Sequence, residues 1–432
     1  MIAQIIFSVL LAAAVYFFTV NINKIRRNIS LGKALDRTDR PMERWMTMAR
    51  VALGQSKMVV RPVAGIMHIF IYLGFIIINI EVLEIIIDGV TGTHRVFSFL
   101  GSFYDFLIGS FEILAVLTLV ACIVFLVRRN VLRLKRFWMR EMTAFPRTDA
   151  NAILITEILL MTAFLTMNAT DSVLQSRSFG HYTVAGAFPV SGIYAALFEN
   201  LSSGALMGIE RTCWWFHIIG ILAFLNYLPY SKHFHILLAF PNTYYSNLEQ
   251  KGKFTNMSSV TQEVKLMLDP AAAVPEGYQS PTSFGAKDIH DLTWKNLMDA
   301  YSCTECGRCS SVCPASQTGK LLSPRKIMMD TRDRVEEVGK NIDRHGKEFS
   351  DGKNLFSYIM EEELLACTSC NACTEACPVN IDPLNIIIEM RRYLVMEQSK
   401  MPPEWQVMMN KIETNGAPWQ FAQSDRFNWT NS

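Results

Sequence analysis

The sequence predicts an all-α protein: a five-helix transmembrane bundle followed by a soluble helical domain. Three observations carry this. The composition is 50% apolar and only 19% charged, with a formal net charge of +2 over 432 residues. That is too greasy for a wholly soluble chain and too polar for a pure membrane bundle. The apolar residues are concentrated in residues 1–240, whereas residues 241–432 hold most of the acids, most of the prolines and eight of the ten cysteines. Five apolar runs in the first part each approach the roughly 20 residues that a helix needs to cross about 30 Å of hydrocarbon.

These runs are 2–20, 63–87, 106–127, 152–169 and 213–230, the last with an extension toward Phe240. The first is not a signal peptide by its pattern. No basic residue precedes it, no small-residue cleavage site follows it, and its basic cluster comes afterwards. It reads as a retained anchor. Residues 24–61 carry ten basic residues against three acids, and residues 128–150 carry seven against two. The other two loops are nearly bare of them, with Arg95 in one and Arg177 and Arg211 in the other. Basic loops face the cytoplasm, so the N-terminus is expected outside and the soluble domain inside, at the cytoplasmic membrane of a bacterium or archaeon. The basic runs lie beside membrane segments and lack interleaved aromatics, which argues against nucleic acid as a partner and for membrane lipid. The expected divisions are a membrane domain over 1–240, a linker over 241–290, a cysteine-bearing domain over 291–400 and a docking tail over 401–432.

The cysteine-bearing domain contains CTECGRCSSVCP and CTSCNACTEACP, each reading C-x2-C-x2-C-x3-C-P. Three closely spaced thiolates wrap one face of a cubane cluster, and the fourth ligates the other cluster. One 4Fe–4S cluster is therefore expected on Cys303, Cys306, Cys309 and Cys377, and a second on Cys367, Cys370, Cys373 and Cys313. Zinc takes pairs of cysteines rather than this tripled spacing, and disulfides are disfavoured in a reducing cytoplasm. Cys122 and Cys213 lie in apolar runs, where a lone cysteine behaves as a small hydrophobe. The segment between the motifs, 320–366, is polar and rich in helix formers. With that long spacer, the domain resembles the α-helical dicluster ferredoxins of heterodisulfide reductases and of the iron–sulfur subunits of succinate dehydrogenase.

Histidine is scarce, with 8 residues in the chain, yet HIIGILAFLNYLPYSKHFH places three at the ends of one apolar run. On an unbroken helix the 18 residues from His217 to His235 make five whole turns, so the two share a face about 27 Å apart, and His233 points away. His68 enters the second span at the same depth as His235. Two imidazoles from two helices at one depth suit bis-histidine ligation of a b-type haem. Taken singly, each histidine reads equally as a satisfied buried residue. Five spans with histidines on the second and fifth resemble the gamma subunit of respiratory nitrate reductases, and PYSKHFH resembles the end of the last haem-bearing helix in heterodisulfide reductase cytochromes. The nitrate reductase pattern has a second histidine on segment two. Here Phe75 and Asn79 stand in that region, which leaves His217 without a partner and a second haem open. His94 and His181 are the other outer-side histidines, and His94 directly follows segment two.

Glu81, Glu84 and Glu112 lie near the outer ends of their spans and Glu157 near an inner end. Carboxylates inside a membrane face a cavity or a partner, so the first three are candidates for relaying quinol protons. Interfacial acids pairing with Arg95 are the plainer alternative. The segment NKIETNGAPWQFAQSDRFNW resembles the stretch that follows the two clusters in iron–sulfur subunits of heterodisulfide reductase and glycolate-oxidase-like proteins. There the chain continues into cysteine-rich CCG domains. None is present in this sequence, which implies a separate CCG-type subunit in the cytoplasm. Trp405, Trp419 and Trp429 suit docking, since aromatics are enriched at interfaces. Together these features predict an electron-transfer subunit of a multi-subunit quinone-linked oxidoreductase, carrying electrons between quinone, haem b, two 4Fe–4S clusters and that partner. The rival is a membrane-bound iron–sulfur redox sensor or assembly factor, whose output module the sequence lacks.

Overall fold

The structure is a computed structural model, which describes residues 1–269, 271, 273–274, 278, 283–419 and 422–431. The membrane part comprises α1 (Ile2–Ile29), α2 (Pro41–Met48), α3 (Pro62–Thr91), α4 (Ser102–Leu126), α5 (Ala144–Ser176), α6 (Ser191–Ala195), α7 (Ser203–Tyr227) and α8 (His235–Tyr244). Of these, α1, α3, α4, α5 and α7 are long and apolar enough to cross a membrane. All five are longer than the expected runs, although α4 and α7 end slightly short of them. Polar residues extend them without penalty once the helix leaves hydrocarbon, since a helix is limited there by its caps rather than by hydropathy.

Helix α5 is the centre of the bundle, packed against α4 on one side and α7 on the other, with α3 against α4 and α1 laid over α3 and α7. It has the largest buried share of the five spans. Phe111 and Ile108 of α4, Phe164 of α5, Ile218 of α7 and Phe7 of α1 fill the space between them. The outward faces remain apolar and exposed, as a lipid-facing surface requires.

The expected continuous helix from His217 to His235 is broken. α7 ends at Tyr227, and two 3-10 turns, Leu228–Tyr230 and Lys232–Phe234, flank an extended Ser231 before α8 restarts at His235. Pro229 removes a backbone donor and clashes with the preceding turn. Asp149 of α5 then holds the opened segment. It accepts from Tyr227 Oη at 2.5 Å, Ser231 Oγ at 2.7 Å and the Lys232 N–H at 3.2 Å.

The soluble part comprises α9 (Ser258–Leu268), α10 (Trp294–Tyr301), α11 (Arg308–Val312), α12 (Pro314–Gln317), α13 (Pro324–His345), α14 (Glu361–Leu365), α15 (Ala372–Ala376), α16 (Pro383–Arg392) and α17 (Pro403–Asn415). Among the described residues there are no strands, only an isolated bridge between Lys33 and Thr293. Proline opens α12, α13, α16 and α17, where its missing N–H costs nothing. Thr293 caps α10 in a capping box with Asn296, and Ser323 caps α13.

The soluble core, centred on Leu297, Ile327, Val335, Ile386 and Met390, is continuous with Ile25 of α1 and with Leu228 and Phe234 of the hinge. Sequence boundaries placed the end of the first helix at Val20 and a linker over 241–290. Instead α1 runs on to Ile29 and docks. Arg27 pairs with Asp343, Asn28 Nδ2 donates to Tyr301 Oη at 3.0 Å, and the Lys33 N–H donates to Leu292 O at 2.7 Å. The expected linker holds the end of α8 and all of α9, and its residues 270, 272, 275–277 and 279–282 lie outside the described residues. Gln420, Phe421 and Ser432 of the expected docking tail also lie outside them.

Candidate redox centre

His68 of α3 and His235 of α8 face one another with ring centroids 6.4 Å apart and planes at 42°. Two imidazoles on opposite sides of one metal ion at about 2 Å per bond have centroids roughly 6 Å apart, so this spacing suits a shared axial metal. The His235 Nδ1 lies 3.1 Å from the Lys232 carbonyl. With Nδ1–H donating there, Nε2 carries the lone pair, the tautomer a metal ligand needs. The His68 Nδ1 is buried and has no hydrogen-bond partner, a costly state for a polar atom. His233, expected to point away, packs against His235 at 5.5 Å, because the extended Ser231 resets the helical phase.

His217 is fully buried, its Nδ1 3.0 Å from the Leu160 carbonyl of α5 and its ring against Phe164. Among the described residues no second histidine ring packs on it. His94 packs instead against His181 at 5.1 Å and Tyr182 at 4.9 Å, with Nε2 3.5 Å from Asp171. Leu160 and Asp171 are eleven residues apart on α5, about 16 Å along the axis. The structure therefore does not bring His94 and His217 together. The reason is the network that fixes His94: Arg95 Nε donates to Asp171 at 2.6 Å, and its two terminal nitrogens reach Tyr104 Oη at 3.0 Å and Asn168 Oδ1 at 3.1 Å.

The membrane acids are buried near this network. Glu84 accepts from the Phe97 N–H at 2.8 Å and Tyr104 Oη at 2.9 Å. Glu112 accepts from the Val190 and Ser191 N–H groups at 2.9 and 3.1 Å and from the Ser191 hydroxyl. Glu81 keeps one carboxylate oxygen, Oε2, buried without a partner. None of the three pairs directly with Arg95, which is taken by Asp171. Glu157, near the middle of α5, is partly buried.

All ten cysteines are free thiols. In each four-cysteine loop two residues adopt left-handed backbone: Glu305 (φ 52°) and Gly307 (φ 70°) in the first, Ser369 (φ 57°) and Asn371 (φ 61°) in the second. A Cβ on Gly307 would lie 2.5 Å from the Arg325 guanidinium and 3.2 Å from the Arg136 carbonyl. Helices α11 and α15 pack together and bring the loops side by side. Cys377 then sits in the electrostatic field of Cys306 and Cys309, and Cys313 in that of Cys367. Burial pushes the Cys303, Cys373 and Cys377 thiols up to about 12; bound iron would reverse this, since a coordinating thiol is deprotonated. The Ile381 N–H donates to Cys377 Sγ at 3.3 Å and the Ser369 N–H to Cys367 Sγ at 3.4 Å. These donors stabilise negative sulfur. Among the described residues no three His, Cys, Asp or Glu side chains converge tightly enough for a single metal ion; a four-iron cubane is larger and spaces its thiolates apart.

The first loop faces the bundle. Arg308 donates to the Lys57 carbonyl at 2.6 Å, Arg61 to Ser311 Oγ at 2.9 Å, and Glu305 pairs with Lys232 of the hinge. In the second loop Cys370 is exposed.

Residues 299–381 match the family model described as the 4Fe-4S dicluster domain. This part of the chain is similar to 4Fe-4S dicluster domains. Over 98% of its length the chain is 28% identical to a probable iron-sulfur-binding oxidoreductase, FadF, of Bacillus subtilis, covering 60% of that protein. Over 91% it is 26% identical to an EtfAB:quinone oxidoreductase of Syntrophomonas wolfei, covering 55% of it. The chain thus spans only a little over half the length of these relatives. A 106-residue stretch, 24% of the chain, is 31% identical to a CoB-CoM heterodisulfide reductase subunit of Methanosarcina acetivorans, covering 52% of it. No solved structure gives a significant match. These likenesses and the five apolar helices make the chain a membrane iron–sulfur protein related to oxidoreductase subunits.

Sequence reasoning missed the residues that join the dicluster domain to the hinge. Lys232 and Glu305 read as ordinary charges in PYSKHFH and CTEC. Their signal was position alone: one lies three residues before His235, the other inside the first cysteine triplet.

Proposed function

We propose that this chain is the membrane electron-transfer subunit of a quinone-linked oxidoreductase, with one haem b held by His68 and His235. Its first cluster is held by Cys303, Cys306, Cys309 and Cys377, and its second by Cys367, Cys370, Cys373 and Cys313. The observation that carries this reading is the 6.4 Å spacing of the His68 and His235 rings beneath the first cysteine loop. When bound, a haem and two cubanes supply one-electron carriers in a row from the membrane to the exposed Cys370. The chain's own residues set that row. Lys232 O orients His235, Asp149 holds the hinge, and the left-handed residues shape the two cysteine loops.

Quinone as the membrane reactant is supported by the name of the Syntrophomonas relative, which also names EtfAB. A soluble redox protein as the other reactant, of CCG or comparable type, is supported by the exposed Trp405, Met409 and Ile412 on α17. In this reading the dicluster domain faces the cytoplasm and forms part of a multi-subunit complex. Glu81 is the strongest of the acids for proton transfer, because its unpartnered oxygen is free to accept. His217 and His94 are structural: each is already satisfied or packed away from a second ligand.

The test is the optical spectrum of the purified full chain. A b-type haem reduced by a quinol analogue is expected. His68→Ala is expected to lose the haem while keeping both clusters by paramagnetic resonance. A haem-free wild-type protein, or full haem in His68→Ala, would sink the assignment.

A further inference from the structure

The end of the bundle nearest the dicluster domain carries a cavity of about 300 Å³ between the turn that extends α4 and the first turns of α5. It is lined by Arg129, Asn130, Trp138, Arg147, Thr148 and Asn151, among others, and by no acid. It has room for about ten waters. Four guanidinium groups stack on its two aromatic residues. Arg129 and Arg136 lie over Phe137, each 4.7 Å from its centroid. Arg133 and Arg147 lie over Trp138, at 5.1 and 4.8 Å. Among the described residues none of the four has an ion-pair partner, and the Nε atoms of Arg129 and Arg136 are buried with no hydrogen bond. The Trp138 Nε1 is spent on the Arg129 carbonyl at 2.9 Å. The α5 N-terminus opens here as well, with Thr143 making no side-chain cap.

Unpaired, partly buried arginines are costly unless an anion joins them. A helix N-terminus favours the same sign of ligand. Val131, Leu132 and Phe145, next in sequence to the cavity lining, are strongly exposed apolar side chains, so apolar surface adjoins the anion site. We propose that this cavity binds the phosphate of an anionic phospholipid, with Arg129 and Arg147 on the phosphate and the acyl chains along Val131, Leu132 and Phe145. A basic pocket between helix ends at this depth is suited to such headgroups.

The full chain in detergent is titrated with phosphatidylglycerol, with phosphatidylcholine and with inorganic phosphate. Binding is read by native mass spectrometry and by the thermal midpoint. Phosphatidylglycerol is expected to remain bound and raise the midpoint, and the other two to do neither. Arg129→Gln with Arg147→Gln is expected to weaken phosphatidylglycerol binding about thirtyfold, the loss for two cations beside a lipid phosphate. If that variant is not recovered folded, Arg147→Gln alone, at a partly exposed position, is expected to weaken it about fivefold. Unchanged binding in the variant, or equal binding of phosphatidylcholine, overturns the site. A response to inorganic phosphate overturns the lipid as its source.

Discussion

The ammonium of Lys232 pairs with the carboxylate of Glu305, while the backbone carbonyl of the same lysine accepts from His235 Nδ1 at 3.1 Å. One residue thus touches both the first cysteine loop and the candidate haem ligand. Glu305 is fixed from the other side by Arg332 at 2.8 Å. Lys232→Met is expected to cost about 3 kcal/mol, because it leaves a buried carboxylate with half its compensation. In the proposed arrangement the signals of the haem and first cluster are expected to shift while those of the second stay put. The double variant with Glu305→Gln is expected to cost less than the sum of the singles. Additive losses in chemical denaturation would show that the pair does not couple the two sites.

Gly307 and Asn371 occupy equivalent left-handed positions, and a Cβ at Gly307 would press against Arg325 and Arg136. Gly307→Ala is expected to cost about 1–3 kcal/mol from strain and displacement of Arg325. Iron content is expected to fall by one cluster. Asn371→Gly relieves its own backbone and is expected to leave iron content unchanged. Equal iron loss in both variants would contradict this difference.

Glu141, in the loop between α4 and α5, joins the bundle to the dicluster domain. It accepts from Arg325 Nε at 3.0 Å and from Ser323 Oγ at 2.5 Å. Burial alone would raise its pKa, but the Arg325 charge and the hydrogen bonds outweigh that and hold it below the ordinary carboxylate value. A depressed carboxylate contributes stability above its unfolded pKa and loses it as pH falls through the folded one. Docking is therefore expected to be intact at neutral pH and to loosen in acid below about pH 4. Glu141→Gln is expected to show the loosened state already at pH 7, read as faster hydrogen exchange at the start of α13. Identical exchange in wild type and variant would remove Glu141 from the docking contact.

Asp171 and Arg95 form a buried pair at the far end of α5. Asp171→Asn is expected to cost about 3–5 kcal/mol. The haem-to-iron ratio is expected to stay at the wild-type value, since Asp149 at the hinge lies 22 residues away, about 33 Å along the helix. A changed ratio would mean that the Arg95–Asp171 network supports the redox centre.

The five spans, the helical class and the two cysteine motifs were legible in the sequence. Hydropathy over 20 residues and fixed cysteine spacing are local properties, and neither depends on what packs against them. The pairing of His68 with His235 came from an argument about depth. The geometry that supports it is different, because the phase argument assumed an unbroken helix through Pro229. Of the two outer histidines, His94 is the expected partner of His217 ahead of His181, because it directly follows segment two. Arg95 and Asp171, 76 residues apart, fix His94 elsewhere.

By itself the sequence determined what must cross lipid and what can ligate iron, through composition and short-range spacing. Tertiary structure decided which charges meet: Lys232 with Glu305, Glu141 with Arg325, Arg27 with Asp343. Those contacts join residues from 73 to 316 positions apart. Their energy depends on burial and on a second charge that only the fold brings close, so no local pattern announces them.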